Sequence, residues 1–157
     1  MKKKYIWTAV TVFYVLFIFS HSLKPSDISS EDSGRVLELI QKVFKLWEIN
    51  APWVTEHVIR KAAHFSEYAL LGILLWNCLP ACGFASQVRW LIHVTAGCVV
   101  PLLDETIQLF VPGRSGQVGD IWIDCFGVIF GTLLGAIGLV VRKQAMNSKM
   151  KMKRRAK

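Results

Sequence analysis

The sequence is poor in cysteine and has no acidic residue at either end. Its four cysteines have the spacing of neither a zinc site nor the disulfide framework of a small secreted domain. We therefore interpret them as small apolar packing residues. All 11 acidic residues lie between Asp27 and Asp124, so both terminal segments carry basic charge alone. This distribution argues against a chain whose charges are spread over the surface of a soluble domain.

Long apolar stretches are abundant instead. Apolar residues make up 53% of the 157 residues, which is high for a soluble protein and favours a small membrane protein. A helical span needs about 20 mostly apolar residues. Residues 5–23, 62–79, 88–103 and 121–141 meet that need. The sequence thus predicts an all-α, polytopic membrane protein with four transmembrane helices, forming a single domain over residues 1–157.

The first apolar stretch follows three lysines, as a secretory signal peptide would. It is long for the apolar region of such a peptide, and no clear small-residue cleavage site follows it. We therefore expect it to be a retained span.

The basic ends predict the orientation. Lysine and arginine are enriched in cytoplasmic flanks of spans, and Lys2–Lys4 and residues 142–157 are strongly basic. Both termini are thus expected in the cytoplasm, which an even number of spans allows. These basic blocks are read as topological signals rather than as a nucleic-acid-binding site. The segments 24–61 and 104–120 then lie outside.

The first outer segment is expected to contain one helix. The stretch "PSDISSEDSG" at residues 25–34 is turn-like, and Ser29, Ser30 or Ser33 would cap a helix that follows it. From Val36 to Trp47, apolar residues recur at helical spacing and polar residues interrupt them. We interpret this pattern as an amphipathic helix lying on the outer surface of the membrane. A soluble cap over the spans is the competing interpretation.

Polar residues concentrate where the predicted spans meet the outer face. Ionisable groups within or beside spans are costly, face a bundle interior or a cavity, and are functional candidates. In the predicted topology, these residues lie on the second, third and fourth spans and on the turn "VPGRSGQVG", and all of them reach one depth near the outer face. They are Lys61, His64, Glu67, Asp104, Glu105, Gln108, Arg114, Asp120 and Asp124, and Arg60 and Tyr68 adjoin them in the sequence.

A glycine stripe continues the face that carries Asp120 and Asp124. It consists of glycines 127, 131, 135 and 138 and would let another helix approach closely. The two aspartates are therefore expected to point at that helix rather than at lipid. His93 lies near the inner end of its span, and we expect it to form a hydrogen bond between helices.

Three stretches together resemble the VanZ-like family of bacterial integral membrane proteins. They are "FSHSLKPSDISSEDSG", "IRKAAHFSEYALLG" and "DETIQLFVPGRSGQVGDIWIDCFGVIFG", and the resemblance extends from about residue 15 to residue 140. It implies a multi-pass protein of the bacterial cytoplasmic membrane and an association with resistance to teicoplanin-type lipoglycopeptides. It also carries the family motif onto all eleven polar residues above without giving them a role. At Asp124 many family members have Asn.

The first functional hypothesis is recognition of an anionic envelope lipid or cell-wall precursor, such as a lipid II-like molecule. Arg60, Lys61 and Arg114 would bind its phosphate, since arginine can hold phosphate through two hydrogen bonds. Carboxylates and Gln108 would orient these cations and bind polar groups of the ligand. The expected ligand-binding residues are Arg60, Lys61, Tyr68, Gln108, Arg114, Asp120 and Asp124.

The second hypothesis is an enzyme acting on a lipid or cell-wall intermediate. His64 would be the general acid or base, oriented by Glu67 or Asp104, with Glu105 as a further catalytic candidate. The sequence requires no cofactor, but oxygen ligands from Asp104, Glu105, Asp120 and Asp124 would suit a divalent cation. A transporter is the least favoured reading, because the polar residues do not continue through the middle of the spans.

Overall fold

The computed structural model describes residues 2–155, with side chains up to residue 149. Within that range the chain forms five helices and no strand, which confirms the all-α prediction. They are α1 (Lys2–Ser22), α2 (Ser26–Leu46), α3 (Glu56–Ala81), α4 (Ser86–Gln108) and α5 (Val118–Arg155). The predicted basic tail continues α5 as helix up to residue 155, and its last two residues lie outside the described range.

Three helices are long and apolar enough to cross a membrane: Lys2–Ser22, Ser86–Gln108 and Val118–Lys149. They agree with the first, third and fourth predicted spans. The second predicted span lies in α3, which is not among the three. At 26 residues α3 is about 39 Å long, but His64, Glu67 and Asn77 reduce its apolar character. The structure thus supports a membrane protein, and the fourth span stays a prediction.

Helix α3 lies at the centre of the bundle. Its Tyr68, Leu71 and Leu75 are buried against residues of the three surrounding helices, namely Ile18 of α1, Val100 of α4 and Val128 of α5. Because the neighbours surround α3, its polar side chains can be enclosed by protein.

The glycine stripe of α5 packs directly on α3. A Cβ atom at Gly131 would lie 1.7 Å from the carbonyl oxygen of Ala69, and one at Gly127 would lie 2.6 Å from that of Phe65. A Cβ atom at Gly135 would lie 2.9 Å from the Trp76 side chain of α3. The prediction of close approach is confirmed for these three glycines. It is wrong for Gly138, which has no such neighbour within 4 Å.

The predicted hydrogen bond of His93 is also confirmed. Its Nε2 atom lies 2.7 Å from the Thr132 hydroxyl of α5. This contact joins α4 to α5 at the end of the bundle opposite the polar cluster.

Helix α2 begins earlier than its sequence suggested. It starts at Ser26, directly after Pro25, so the prediction that residues 25–34 form a turn with a capping serine is wrong. Pro25 is the N-cap residue, with φ −54° and ψ 155°, and no side chain caps the helix there. The helix packs against α3, while Val36, Leu39 and Val43 are 44%, 61% and 51% exposed.

Candidate functional site

The polar residues predicted from the sequence meet at one end of the bundle. There the first half of α3, the end of α4, the loop 109–117 and the start of α5 come together. Tyr68, Asp104 and Asp124 are each 0% exposed, and Glu105 and Gln108 are buried beside them. Five polar side chains are therefore enclosed by protein at this end.

Gln108 connects the two acidic residues of α4. Its Nε2 atom donates to Glu105 Oε1 at 3.0 Å and to Asp104 Oδ2 at 3.4 Å. The Ser22 hydroxyl donates to the other oxygen of Asp104. The backbone N–H of Gln117 donates to Glu105 Oε2 at 2.9 Å. The carboxylates are thus held in place by α1 and by the loop that precedes α5.

Arg114 is fixed by the loop and by α4. Its Nη1 atom donates to Gln108 Oε1 at 3.1 Å, and its Nε atom donates to the carbonyl oxygen of Lys24 at 3.2 Å. Burial lowers the pKa of the Arg114 guanidinium, and the nearby positive charge of Arg60 lowers it further. An arginine nevertheless stays charged in proteins, so two positive charges face one another here.

A pocket with a volume of about 120 Å³ opens at this position. Its charged and polar walls include Arg60, Lys61, His64, Gln108, Arg114 and Asp120. Lys61 donates to Asp120 Oδ1 at 2.9 Å. Among the side chains up to residue 149, neither Arg60 nor Arg114 forms a salt bridge. The pocket therefore presents two guanidinium groups that no carboxylate contacts within salt-bridge distance, although Asp104, Glu105 and Glu67 act on Arg114 from farther away.

A second pocket of about 100 Å³ lies toward α1 and α2. It shares Arg60, His64 and Arg114 with the first. The same two arginines and one histidine therefore line both openings.

Beneath the arginines lies a group of buried atoms that lack hydrogen-bond partners. They are both carboxylate oxygens of Asp124 and the Nδ1 atom of His64. His64 Nδ1 and Asp124 Oδ1 lie 3.7 Å apart, which is too far for a hydrogen bond. A buried polar group without a partner is unfavourable, and native proteins contain few such groups.

Four residues at this point could ligate one metal ion. One ligand atom from each of His64, Asp104, Glu105 and Asp124 lies within 4.8 Å of the others. Asp120, expected from the sequence to belong to such a group, is bound to Lys61 instead. His64 takes the fourth place.

Glu67 faces α1, and sequence reasoning missed its partner there. His21 Nδ1 lies 2.9 Å from Glu67 Oε1, and Tyr14 donates to the Glu67 carbonyl oxygen at 3.0 Å. Within the described side chains no ion pair joins Glu67 to His64, so the expected orienting contact is not seen. Ser22 was also missed, although the stretch "FSHS" placed His21 and Ser22 at the predicted outer end of the first span.

A comparison with protein-family models gives a match over nearly the same residues as the resemblance seen in the sequence. Residues 6–139 match the model of a family described as VanZ/LLP1. This range contains every residue of the site. Searches of curated proteins and of solved structures found no match.

Proposed function

Because the chain belongs to the VanZ/LLP1 family, we propose that it recognises an anionic, phosphate-bearing envelope lipid or cell-wall precursor. Membership of this family supports an envelope membrane protein linked to glycopeptide resistance. Recognition of a precursor outside the membrane would change the access of a lipoglycopeptide such as teicoplanin to its target. That effect needs no chemical step.

The observation that supports this proposal most is the pairing of Arg60 with Arg114. Two guanidinium groups at one pocket repel each other, and here no carboxylate forms a salt bridge with either one. A phosphate group placed between them would remove that repulsion and could accept two hydrogen bonds from a single guanidinium. Lys61, whose charge is balanced by Asp120, would add a further hydrogen-bond donor.

We place the pocket at the outer face of the membrane. This placement takes α3 as the fourth span, enclosed by the other helices, and puts both basic ends in the cytoplasm. The start of α3, the end of α4 and the start of α5 then lie outside. The exposed Val36, Leu39 and Val43 of α2 would rest on the lipid interface beside the pocket, where a lipid headgroup enters.

Lipid retained through purification tests the proposal. The wild-type protein is expected to leave the membrane in mild detergent with an anionic lipid bound, detectable by mass spectrometry. Arg114→Ala is expected to lose most of that lipid. Arg35→Ala is the matched control, because Arg35 is exposed and pairs with Glu31 on α2. Equal amounts of the same lipid on wild type and Arg114→Ala would refute headgroup binding.

A membrane-embedded enzyme is the second candidate function. It is favoured by His64, which lines the pocket and whose buried Nδ1 atom has no hydrogen-bond partner. Such a histidine could accept a proton from a bound lipid or donate one to it. Glu67 lies one turn away on α3, and Asp104 and Glu105 lie near His64 on α4. Incubation of the protein with envelope lipids, followed by mass spectrometry, tests this function. It requires a product that wild type forms and His64→Gln does not, and an unchanged lipid pool would rule against it.

A further inference from the structure

We infer that His64, Asp104, Glu105 and Asp124 form a binding site for one divalent transition-metal ion. The site lies below the arginine pocket. It differs from the carboxylate set expected from the sequence, because it includes an imidazole and excludes Asp120.

The spacing of the four side chains suits a single ion. Metal–oxygen and metal–nitrogen bonds of about 2.0–2.2 Å place opposite ligand atoms about 4.2 Å apart. In the structure the four ligand atoms lie within 4.8 Å of one another. Side-chain movements of a few tenths of an ångström would therefore bring all four onto one ion.

Asp124 provides an independent indication of a ligand. Its side chain is 0% exposed, and neither of its oxygens has a hydrogen-bond partner. A buried carboxylate without a partner is strongly unfavourable, whereas buried charges are commonly paired or coordinate metals. A cation among these four residues would supply the partner that the helices do not.

The other two carboxylates carry the supports that metal ligands usually have. Ser22 and Gln108 donate to Asp104, and the N–H of Gln117 donates to Glu105. Each carboxylate oxygen has two lone pairs, so these bonds leave room for a metal. Hydrogen bonds of this kind orient ligands and tune their affinity.

The donor set indicates the class of metal. Mg²⁺ and Ca²⁺ prefer oxygen ligands alone, while an imidazole suits first-row transition metals. One imidazole with three carboxylates favours Mn²⁺ or Zn²⁺ over thiol-preferring ions. A six-coordinate ion would keep two positions open after binding these four residues. Because His64 also lines both pockets, an open position on the ion would be available to a lipid phosphate. Only this contact with phosphate rests on the proposed function.

A titration with Mn²⁺ tests the site without any lipid. The full chain is purified in detergent, treated with EDTA and dialysed, and free Mn²⁺ is followed by electron paramagnetic resonance. We expect one Mn²⁺ per chain. Asp124→Asn should weaken binding at least tenfold, since even the partners of metal ligands contribute roughly 10–100-fold. Asp124→Leu should abolish it.

The matched control is Asp27→Asn, the same chemical change at an exposed position on α2. It should leave Mn²⁺ affinity within about threefold, a small effect beside the loss of a ligand. No bound Mn²⁺ and no bound Zn²⁺ in wild type would overturn the inference, as would equal weakening by Asp27→Asn and Asp124→Asn.

Thermal unfolding separates loss of a ligand from misfolding. In EDTA, Asp124→Asn should unfold near the wild-type temperature, because asparagine has the shape of aspartate and replaces a buried carboxyl that lacks a hydrogen-bond partner. Mn²⁺ should raise the Tm of wild type more than that of Asp124→Asn, and it should leave that of Asp124→Leu unchanged. An equal rise in wild type and Asp124→Asn would overturn the assignment. These experiments leave Arg114-dependent lipid retention untouched, so failure of the metal site and failure of lipid recognition are separately visible.

Discussion

Replacing Gly131 with alanine is expected to push α5 away from α3. The new Cβ atom would lie 1.7 Å from the Ala69 carbonyl oxygen and 2.5 Å from its carbonyl carbon. Both are backbone atoms of a helix, which cannot turn aside as a flexible side chain can. An ordinary contact begins at 3.4 Å, so the two helices must separate locally by up to about 1.7 Å.

This separation should lower the free energy of unfolding substantially. Overpacking a well-packed core costs about 1–3 kcal/mol, and a clash between two backbones belongs at the upper end. Alanine is favoured over glycine in a helix by about 1 kcal/mol, which offsets part of the loss. A net destabilisation of roughly 2 kcal/mol is therefore expected.

Gly138→Ala is the matched control on the same helix. A Cβ atom there has nothing within 4 Å, so the gain in helix propensity should appear alone, at about 1 kcal/mol or less. The assay is thermal unfolding of both variants and wild type in one detergent. The packing argument fails if Gly131→Ala is as stable as Gly138→Ala.

Two further predictions concern the His93–Thr132 contact and the orientation of the chain in the membrane. A double-mutant cycle of His93→Ala and Thr132→Val should give a coupling of about 0.6 kcal/mol, the usual strength of a hydrogen bond between membrane helices; zero coupling would show that the contact adds no stability. In a cysteine-free background, Ser115→Cys should react with a membrane-impermeant maleimide on intact cells. Labelling that requires permeabilised cells would reverse the proposed topology. Gly116 is a poorer labelling position, because a Cβ atom there would lie 2.6 Å from the Glu105 carbonyl oxygen.

Helical periodicity was enough to predict the faces of α4 and α5. Stepping by four residues placed Asp104 with Gln108, and Asp120 and Asp124 with the glycines of α5. Small residues on one face identify a helix contact, and Gly127 and Gly131 do pack on α3. The sequence could not show where such a contact ends, so Gly138 was included wrongly.

Helical periodicity alone could not predict the partners of Glu67 and Asp120. Helix α1 is apolar on nearly all sides, and such a helix does not reveal which side faces the bundle. The contact of His21 with Glu67 therefore required the packed structure. Asp120 and Asp124 lie on one face, but only the rotation of α5 against α3 assigns Lys61 to the first and His64 to the second.

The start of α2 was misjudged for a local reason. Serine, aspartate and glycine favour turns, and residues 25–34 contain all three. The same residues are also favoured in the first turn of a helix, where serine and aspartate satisfy free N–H groups. Composition cannot separate these two uses, whereas Pro25 immediately before the helix could have favoured the second.

Titration of the purified protein with a short-chain anionic lipid tests the central claim most directly. Dihexanoyl phosphatidic acid should raise the Tm of wild type and of the control Arg35→Gln, because a ligand that binds only the folded state stabilises it. The double variant Arg60→Gln/Arg114→Gln should show no such rise, and zwitterionic dihexanoyl phosphatidylcholine should have no effect on wild type. The same rise in wild type and in the double variant would contradict recognition of an anionic headgroup by these arginines.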